Sequence, residues 1–195
     1  MTDDPKRSCP RKGLVSVAFV LPLLVACASS SDEVEMDDPE HEEEPVAIAE
    51  ALRSSVACVR GSHAAYSSGR RIGSVETMEI GGKRVSVTTG HAFLRLQEQA
   101  SARGVTIWVN SGFRTMDEQQ YFYDCYRTRR CNSGSLAARP GYSNHQSGRA
   151  VDIGASNRPK LDQLIRQLGL PWRRTVPSEP WHYEYLGTDP GGPCR

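Results

Sequence analysis

The sequence predicts an α+β fold in which helices pack on a small, mostly antiparallel sheet. Three observations carry that expectation. Segments with apolar residues at helical spacing are interspersed with short β-branched runs, without the strand–helix–strand rhythm of a parallel sheet. The pair Gly81-Gly82 sits between two such runs, where a tight hairpin turn would stand. Residues 46–195 form a stretch of about 150 residues, enough for one domain with its own core.

Taken in order, Pro45 to Val59 has apolar residues at helical spacing and predicts a first helix. Residues 61–74 are rich in Gly and Ser and predict a loop. Val75–Ile80 and Lys83–Thr88 predict the two arms of the hairpin. Thr89–Arg103 follows as an amphipathic helix, with Gly104 placed to end it. Val105–Val109 is rich in β-branched residues and predicts a strand. Thr115 and Glu118 stand at the spacing of a capping box and open a helix through about Tyr126. Arg149–Ile153 predicts a short strand. Asn157–Leu168 predicts a helix with Leu161, Leu164, Ile165 and Leu168 on one face and Gly169 behind it. His182–Leu186 predicts the last strand.

Charge divides the chain into three parts. The formal net charge is only +1, which taken whole argues against a nucleic-acid binder or a transmembrane bundle. Residues 1–31 carry four basic and two acidic side chains, and residues 32–45 carry nine carboxylates and no Lys or Arg. Residues 46–195 keep twenty basic and twelve acidic side chains. The basic start (Lys6, Arg7, Arg11, Lys12) precedes an apolar run, Gly13–Ala26, that is broken by Pro22. That run is shorter than the ~20 residues a spanning helix needs. Residues 1–26 are therefore expected to be a secretory signal peptide. Its end, Leu24-Val25-Ala26-Cys27, resembles the bacterial lipobox. The resemblance implies that Cys27 becomes the lipidated first residue of an exported, membrane-anchored protein. Ala28 in place of Asp implies outer-membrane sorting toward the periplasm, if the cell is Gram-negative. The acidic remainder of residues 27–45 repels itself and has little to bury, so it is expected to be an extended tether.

Six cysteines are present. Cys9 leaves with the signal and Cys27 would carry lipid, so Cys58, Cys125, Cys131 and Cys194 remain. Export implies an oxidising compartment, and four cysteines allow three pairings. The favoured pairing is Cys125–Cys131, closing a short basic loop, with Cys58–Cys194 tying the two ends of the domain. Free buried thiols at Cys58 and Cys194 are the alternative. No Cys-x-x-Cys pair supports a zinc ribbon.

The chemistry concentrates in three segments: Ser143–Asp152, Glu179-Pro180-Trp181-His182, and Ser111-Gly112-Phe113-Arg114-Thr115 with Gln119 beyond it. Two neutral imidazoles and one carboxylate make an open zinc site with a fourth position for water, and bound zinc brings that water's pKa to about 7. His145, Asp152 and His182 supply those ligand types. Glu179 stands three positions before His182 and can take the water's proton and pass it to a leaving amine. Pro180 argues for a loop entering a strand there rather than a helix. His41, His63 and His91 are assigned to the tether, a loop and a helix surface.

Ser143-x-His145-x-x-Gly148-x-Ala150-x-Asp152 occupies every fixed position of the Ser-x-His-x-x-Gly-x-Ala-x-Asp motif. The chain thereby resembles the D-alanyl-D-alanine metallopeptidases related to lysostaphin and the hedgehog signalling domain. Glu179-x-x-His182, with Trp181, is similar to their second motif. Ser111-Gly112-Phe113-Arg114 with Gln119 is similar to their substrate-side motif, Phe113 standing where Tyr is frequent. The resemblance spans roughly residues 90–186.

It implies a hedgehog-like or D-Ala-D-Ala-peptidase-like fold, with Zn2+ held by His145, Asp152 and His182. Glu179 would be the general base and then acid. Arg114 would stabilise the oxyanion or bind the substrate carboxylate. Ser143, Gln119 and Trp181 would contact the peptide. The expected activity is zinc-dependent D-Ala-D-Ala carboxypeptidase action on peptidoglycan stem peptides. The alternatives are a peptidoglycan endopeptidase and, from another class, a non-catalytic zinc-stabilised wall-binding module. The partners expected are stem peptides and, through the lipid, a membrane; the domain is expected to act as a monomer without nucleic acid. Arg127-Thr128-Arg129-Arg130 is read as a solvated basic rim. Residues 46–88 and the Cys125–Cys131 loop are not covered by these motifs. A Gly-x-Ser-x-Gly elbow and a His-Glu-x-x-His helix are both absent, which excludes a serine hydrolase and a thermolysin-like enzyme.

Overall fold

A computed structural model of the chain describes residues 54–194. The signal peptide, Cys27 and the acidic tether lie outside the described residues. Among the described residues the fold is α+β, with two antiparallel sheets and three α-helices. The first sheet joins β1 (Val56–Ser67), β2 (Arg70–Ile80) and β3 (Lys83–Ser86) in that order. Helix α1 (Val87–Ser101) follows directly. Then come β4 (Ile107–Ser111), α2 (Met116–Thr128), a 3-10 turn at Asn144–Ser147, and β5 (Ala150–Ala155). Helix α3 (Arg158–Gln167), the two-residue β6 (Trp172–Arg173) and β7 (His182–Tyr185) complete the fold. The second sheet has the order β4-β5-β7-β6.

Most predicted elements stand within a few residues of their expected limits. The hairpin turns at Gly81-Gly82. The capping box at α2 is complete: Thr115 Oγ1 accepts from Glu118 N, and the Glu118 carboxylate accepts from Thr115 N at 2.8 Å. Asn157 caps α3 by accepting from Lys160 N.

The N-terminal part differs from the expectation. Val56–Val59 is not the end of a helix but the start of β1, and the expected loop at 61–74 is strand β1, a turn and the start of β2. A brief helical spacing of apolar residues does not decide such a segment. Val59 is exposed, and the long backbone ladder from Val56↔Ile80 to Ser67↔Arg70 holds β1 instead. Small Gly and Ser side chains neither add to that ladder nor obstruct it.

One core serves the described residues. Phe93, Leu96 and Ala100 of α1 pack with Met78, Ile80 and Val85 of the first sheet and with Ile107, Val151 and Ile153 of the second. Leu161, Leu164 and Ile165 of α3 close the other side with Trp172 and Tyr183. Strand β5 lies between β4 and β7 and is buried along nearly its whole length.

The disulfides are Cys58–Cys194 and Cys125–Cys131, the pairing favoured above. The first belongs to a C-terminal segment that folds back over α1, and it corrects the reading of His91. That ring is fully buried rather than on a helix surface. Its Nδ1 lies 2.8 Å from Asp189 Oδ1, and its Nε2 accepts from Cys194 N at 3.3 Å. The amide fixes the tautomer, so Nδ1–H donates to Asp189. Helical periodicity could not show that a distant tail covers this face. His63 is likewise on β1 rather than in a loop, its ring 5.5 Å from that of Phe113.

Candidate metal centre

Sheet register creates the site. In the β4–β5 pair Ser111 faces Asp152, and in the β5–β7 pair Asp152 faces His182. Directly opposed residues on antiparallel strands bring their side chains together on one face. Asp152 therefore stands between Ser111 and His182. His145 arrives from the 3-10 turn, which ends at Gly148 with φ +79°, a conformation that favours glycine. Two hydroxyls at the start of α1 hold the carbonyl of Gly148: Ser86 Oγ donates to it at 2.5 Å and Thr89 Oγ1 at 2.7 Å. The fixed glycine of the motif is thus where the turn is pinned to the first sheet and α1.

Asp152 Oδ1 lies 3.4 Å from His145 Nε2 and 3.3 Å from His182 Nδ1. All three residues are buried, and their ligand atoms lie within 4.8 Å of one another. Burial alone would raise the Asp152 pKa, but the two imidazoles outweigh it and hold the carboxyl below its usual range. Burial, with Arg114 and His182 adding to it, pushes the His145 pKa down against the pull of Asp152.

These donors fit a bound cation. His145 Nδ1 is 2.7 Å from the carbonyl oxygen of Gly112. A carbonyl only accepts, so Nδ1 carries the hydrogen and the neutral ring turns the bare lone pair of Nε2 toward Asp152 Oδ1. Two lone pairs facing each other in a buried site repel unless a cation lies between them. Zinc–ligand bonds of about 2.0–2.2 Å in a tetrahedron put ligand atoms roughly 3.3–3.6 Å apart, the separations Asp152 makes with both rings.

Glu179 lies at the open side, its Oε2 3.6 Å from His182 Nδ1. It is presented from a turn in which His182 N donates to Glu179 O at 3.0 Å, the loop-into-strand arrangement expected from Pro180. Arg114 enters from the other side. Its guanidinium donates to Ser111 Oγ at 3.0 Å and to Asp152 Oδ2 at 3.5 Å, and it lies 4.7 Å over the Phe122 ring. Burial lowers the Arg114 pKa, while Asp152, Glu179 and Glu118 oppose that shift.

The centre opens into a cleft of about 1150 Å³ lined by Arg114, Ser143 and Glu179 with Leu136, Tyr142 and Trp181. Gln119 differs from its expected role. It is fully buried and does not face the cleft; its Nε2 donates to the carbonyl of Ala138 at 2.6 Å. Gln119 therefore anchors the loop that lines the cleft. The arginines of the Cys125–Cys131 loop also stand outside the cleft lining; residues 132–138, which follow that loop, supply part of its wall. Sequence reasoning missed Phe122, Leu136 and Tyr142, which carry no motif. It also missed Glu184, two positions beyond His182 on the same strand face.

Residues 82–175 match the family model VanY, described as D-alanyl-D-alanine carboxypeptidase. A D-alanyl-D-alanine carboxypeptidase of Enterococcus faecalis is 31% identical over 135 residues, covering 55% of this chain and 50% of its own. The chain thus spans about half the length of that curated relative. Among solved structures, VanYB in complex with D-alanine-D-alanine is 27% identical, with a TM-score of 0.50 over 63% of this chain and 85% of its own. A mutant of the vancomycin resistance D,D-pentapeptidase VanY in complex with Zn(II) is 26% identical, with a TM-score of 0.47 over 58% of this chain and 79% of its own. The family match takes in Arg114, His145 and Asp152, and β5–β7 pairing adds His182 beyond its end. Over residues 82–175, just under half of its length, the chain thus matches the VanY family of D-alanyl-D-alanine carboxypeptidases.

Proposed function

We propose that this protein is a zinc-dependent carboxypeptidase that removes the terminal D-alanine from peptidoglycan stem peptides. The observation that carries the reading is the buried His145–Asp152–His182 cluster, with Glu179 on its open side and Arg114 reaching in beside Asp152. The match to the VanY family over residues 82–175 and the similarity to VanYB, a protein solved with D-alanine-D-alanine, support the substrate class.

His145 through Nε2, His182 through Nδ1 and Asp152 would hold the metal. Zinc, when bound, supplies a Lewis acid for the scissile carbonyl and lowers the pKa of water at the site. The Glu179 carboxylate takes a proton from the attacking water and returns it to the leaving amine as the C–N bond breaks. Water is thereby divided between the two products. Arg114 offers its guanidinium either to the negative charge developing on the carbonyl oxygen or to the terminal carboxylate of the substrate. Its contact with Ser111 and its position over Phe122 hold the fork in place before substrate arrives. Ser143 and Trp181 line the cleft and are assigned to the peptide.

The protein is further assigned to an exported, lipid-anchored location through Cys27, with residues 28–45 as the tether. Metabolic labelling with a fatty acid tests the anchor: a mature protein without label overturns it. For the activity, the purified chain is incubated with Zn2+ and defined muropeptides, and the products are weighed by mass spectrometry. Loss of one terminal D-Ala is expected. Two peptide fragments would make it an endopeptidase, and an unaltered peptide would leave a binding module.

A further inference from the structure

We propose that Glu184 is a positioning residue: it accepts a hydrogen bond from Nε2 of His182 and so keeps Nδ1 of that ring turned toward Asp152 and the metal. The inference rests on the zinc reading above.

His182 presents its Nδ1, not its Nε2, to the centre, 3.3 Å from Asp152 Oδ1 and 3.6 Å from Glu179 Oε2. A neutral imidazole has one lone pair, so a ring that gives Nδ1 to a metal carries its hydrogen on Nε2. In this structure Nε2 is buried and has no hydrogen-bond partner. Leaving a buried N–H unsatisfied destabilises the arrangement that requires it. The carboxylate on that side is Glu184, whose Oε1 is 4.0 Å from Nε2. Strand periodicity puts residues 182 and 184 on one face of β7. Closing the gap to hydrogen-bond distance requires a movement of about 1 Å.

Glu184 is built for a further donor. Its side chain is only 12% exposed, and among the described residues no Lys or Arg nitrogen lies within ion-pair distance of it. Oε1 instead accepts from two neutral groups, Asn144 Nδ2 and Thr175 Oγ1. Asn144 directly precedes His145, so the Glu184 carboxylate joins the turn that carries one imidazole to the strand that carries the other. An N–H from a ligating imidazole is the donor this carboxylate lacks, and such partners orient metal-binding histidines in general.

The test measures zinc affinity of the full chain by competition with a chromogenic chelator, and the His182 ring N–H by nitrogen-15 NMR of the zinc-loaded protein. E184A is expected to weaken zinc binding by about 10–100-fold and to speed exchange of the ring hydrogen. E184Q keeps an acceptor oxygen and is expected to stay within a few-fold of wild type, with the ring signal preserved. E184M retains side-chain length without an acceptor and serves if E184A does not fold; it is expected to behave as E184A should. Wild-type affinity and an unchanged ring signal in E184A or E184M overturn the proposal. So does an equal loss in E184Q, which would assign Glu184 a charge role or a packing role. A wild-type chain that takes up no zinc would instead overturn the reading of the centre itself.

Discussion

Nδ1 of His145 lies 2.7 Å from the carbonyl oxygen of Gly112, and Arg114 N donates back to the His145 carbonyl at 3.3 Å. The segment that carries the arginine therefore orients the imidazole, and the turn that carries the imidazole orients the arginine. Gly112 also passes close to β3: a Cβ there would stand 2.3 Å from the backbone oxygen of Arg84. Gly112→Ala must displace backbone, and with it the acceptor of His145. It is expected to lower stability by about 1–3 kcal/mol and to weaken zinc binding, read by thermal denaturation and chelator competition.

Glu179 and His182 separate chemistry from metal binding. Glu179→Ala is expected to retain stoichiometric zinc while turnover on muropeptides falls by about 10²–10⁴-fold, the contribution of a placed general base. His182→Ala is expected to lose both metal and turnover. Full activity in Glu179→Ala would refute the mechanism assigned to it.

The two disulfides differ in the length of chain they close. Cys58–Cys194 spans 136 residues and Cys125–Cys131 spans 6. Loop-closure entropy gives the long one up to ~5 kcal/mol and the short one up to ~2 kcal/mol. Urea unfolding of Cys58→Ser/Cys194→Ser is therefore expected to show the larger loss. Cys125→Ser/Cys131→Ser is expected to alter KM more than stability, because residues 132–138 border the cleft.

Glu118 caps α2 and also meets Arg84, at 3.0 Å through both carboxylate oxygens. Burial raises its pKa, but the Thr115 N–H and Arg84 outweigh that and leave it below its ordinary 4.5. A folded pKa below the unfolded one means the contribution is complete above the unfolded value and is lost as pH falls through the folded value. Stability is thus expected to decline below about pH 4.5. In Glu118→Gln that part of the decline should shrink by less than about 1 kcal/mol, since water screens this partly exposed pair. Melting temperatures of the two proteins from pH 3 to pH 7 decide it.

Much of the molecule was legible in the linear sequence. Helices α1, α2 and α3 carry their own periodicity and caps, and Gly81-Gly82 marks its own turn, because these signals depend on neighbours within a few residues. The ligand types were legible for a similar reason: the motif around His145 and Asp152 is compact, and only certain side chains can hold zinc. Segments whose conformation depends on remote partners were not. Val56–Ser67 becomes a strand through its ladder with β2, and His91 is buried by a tail nearly a hundred residues away.

The sequence by itself determined an α+β domain, an inventory of two imidazoles and carboxylates, and a reactive Arg114 segment. Only the tertiary structure decided how these meet. The register that sets Asp152 opposite His182, the turn pinned by Ser86 and Thr89, the withdrawal of Gln119 behind the cleft, and Glu184 beside the far nitrogen of His182 all arise between segments. The physical reason is range. Propensity and capping act over one or two turns of chain, whereas lone pairs are aimed at a common point by hydrogen bonds and strand pairing across the whole fold.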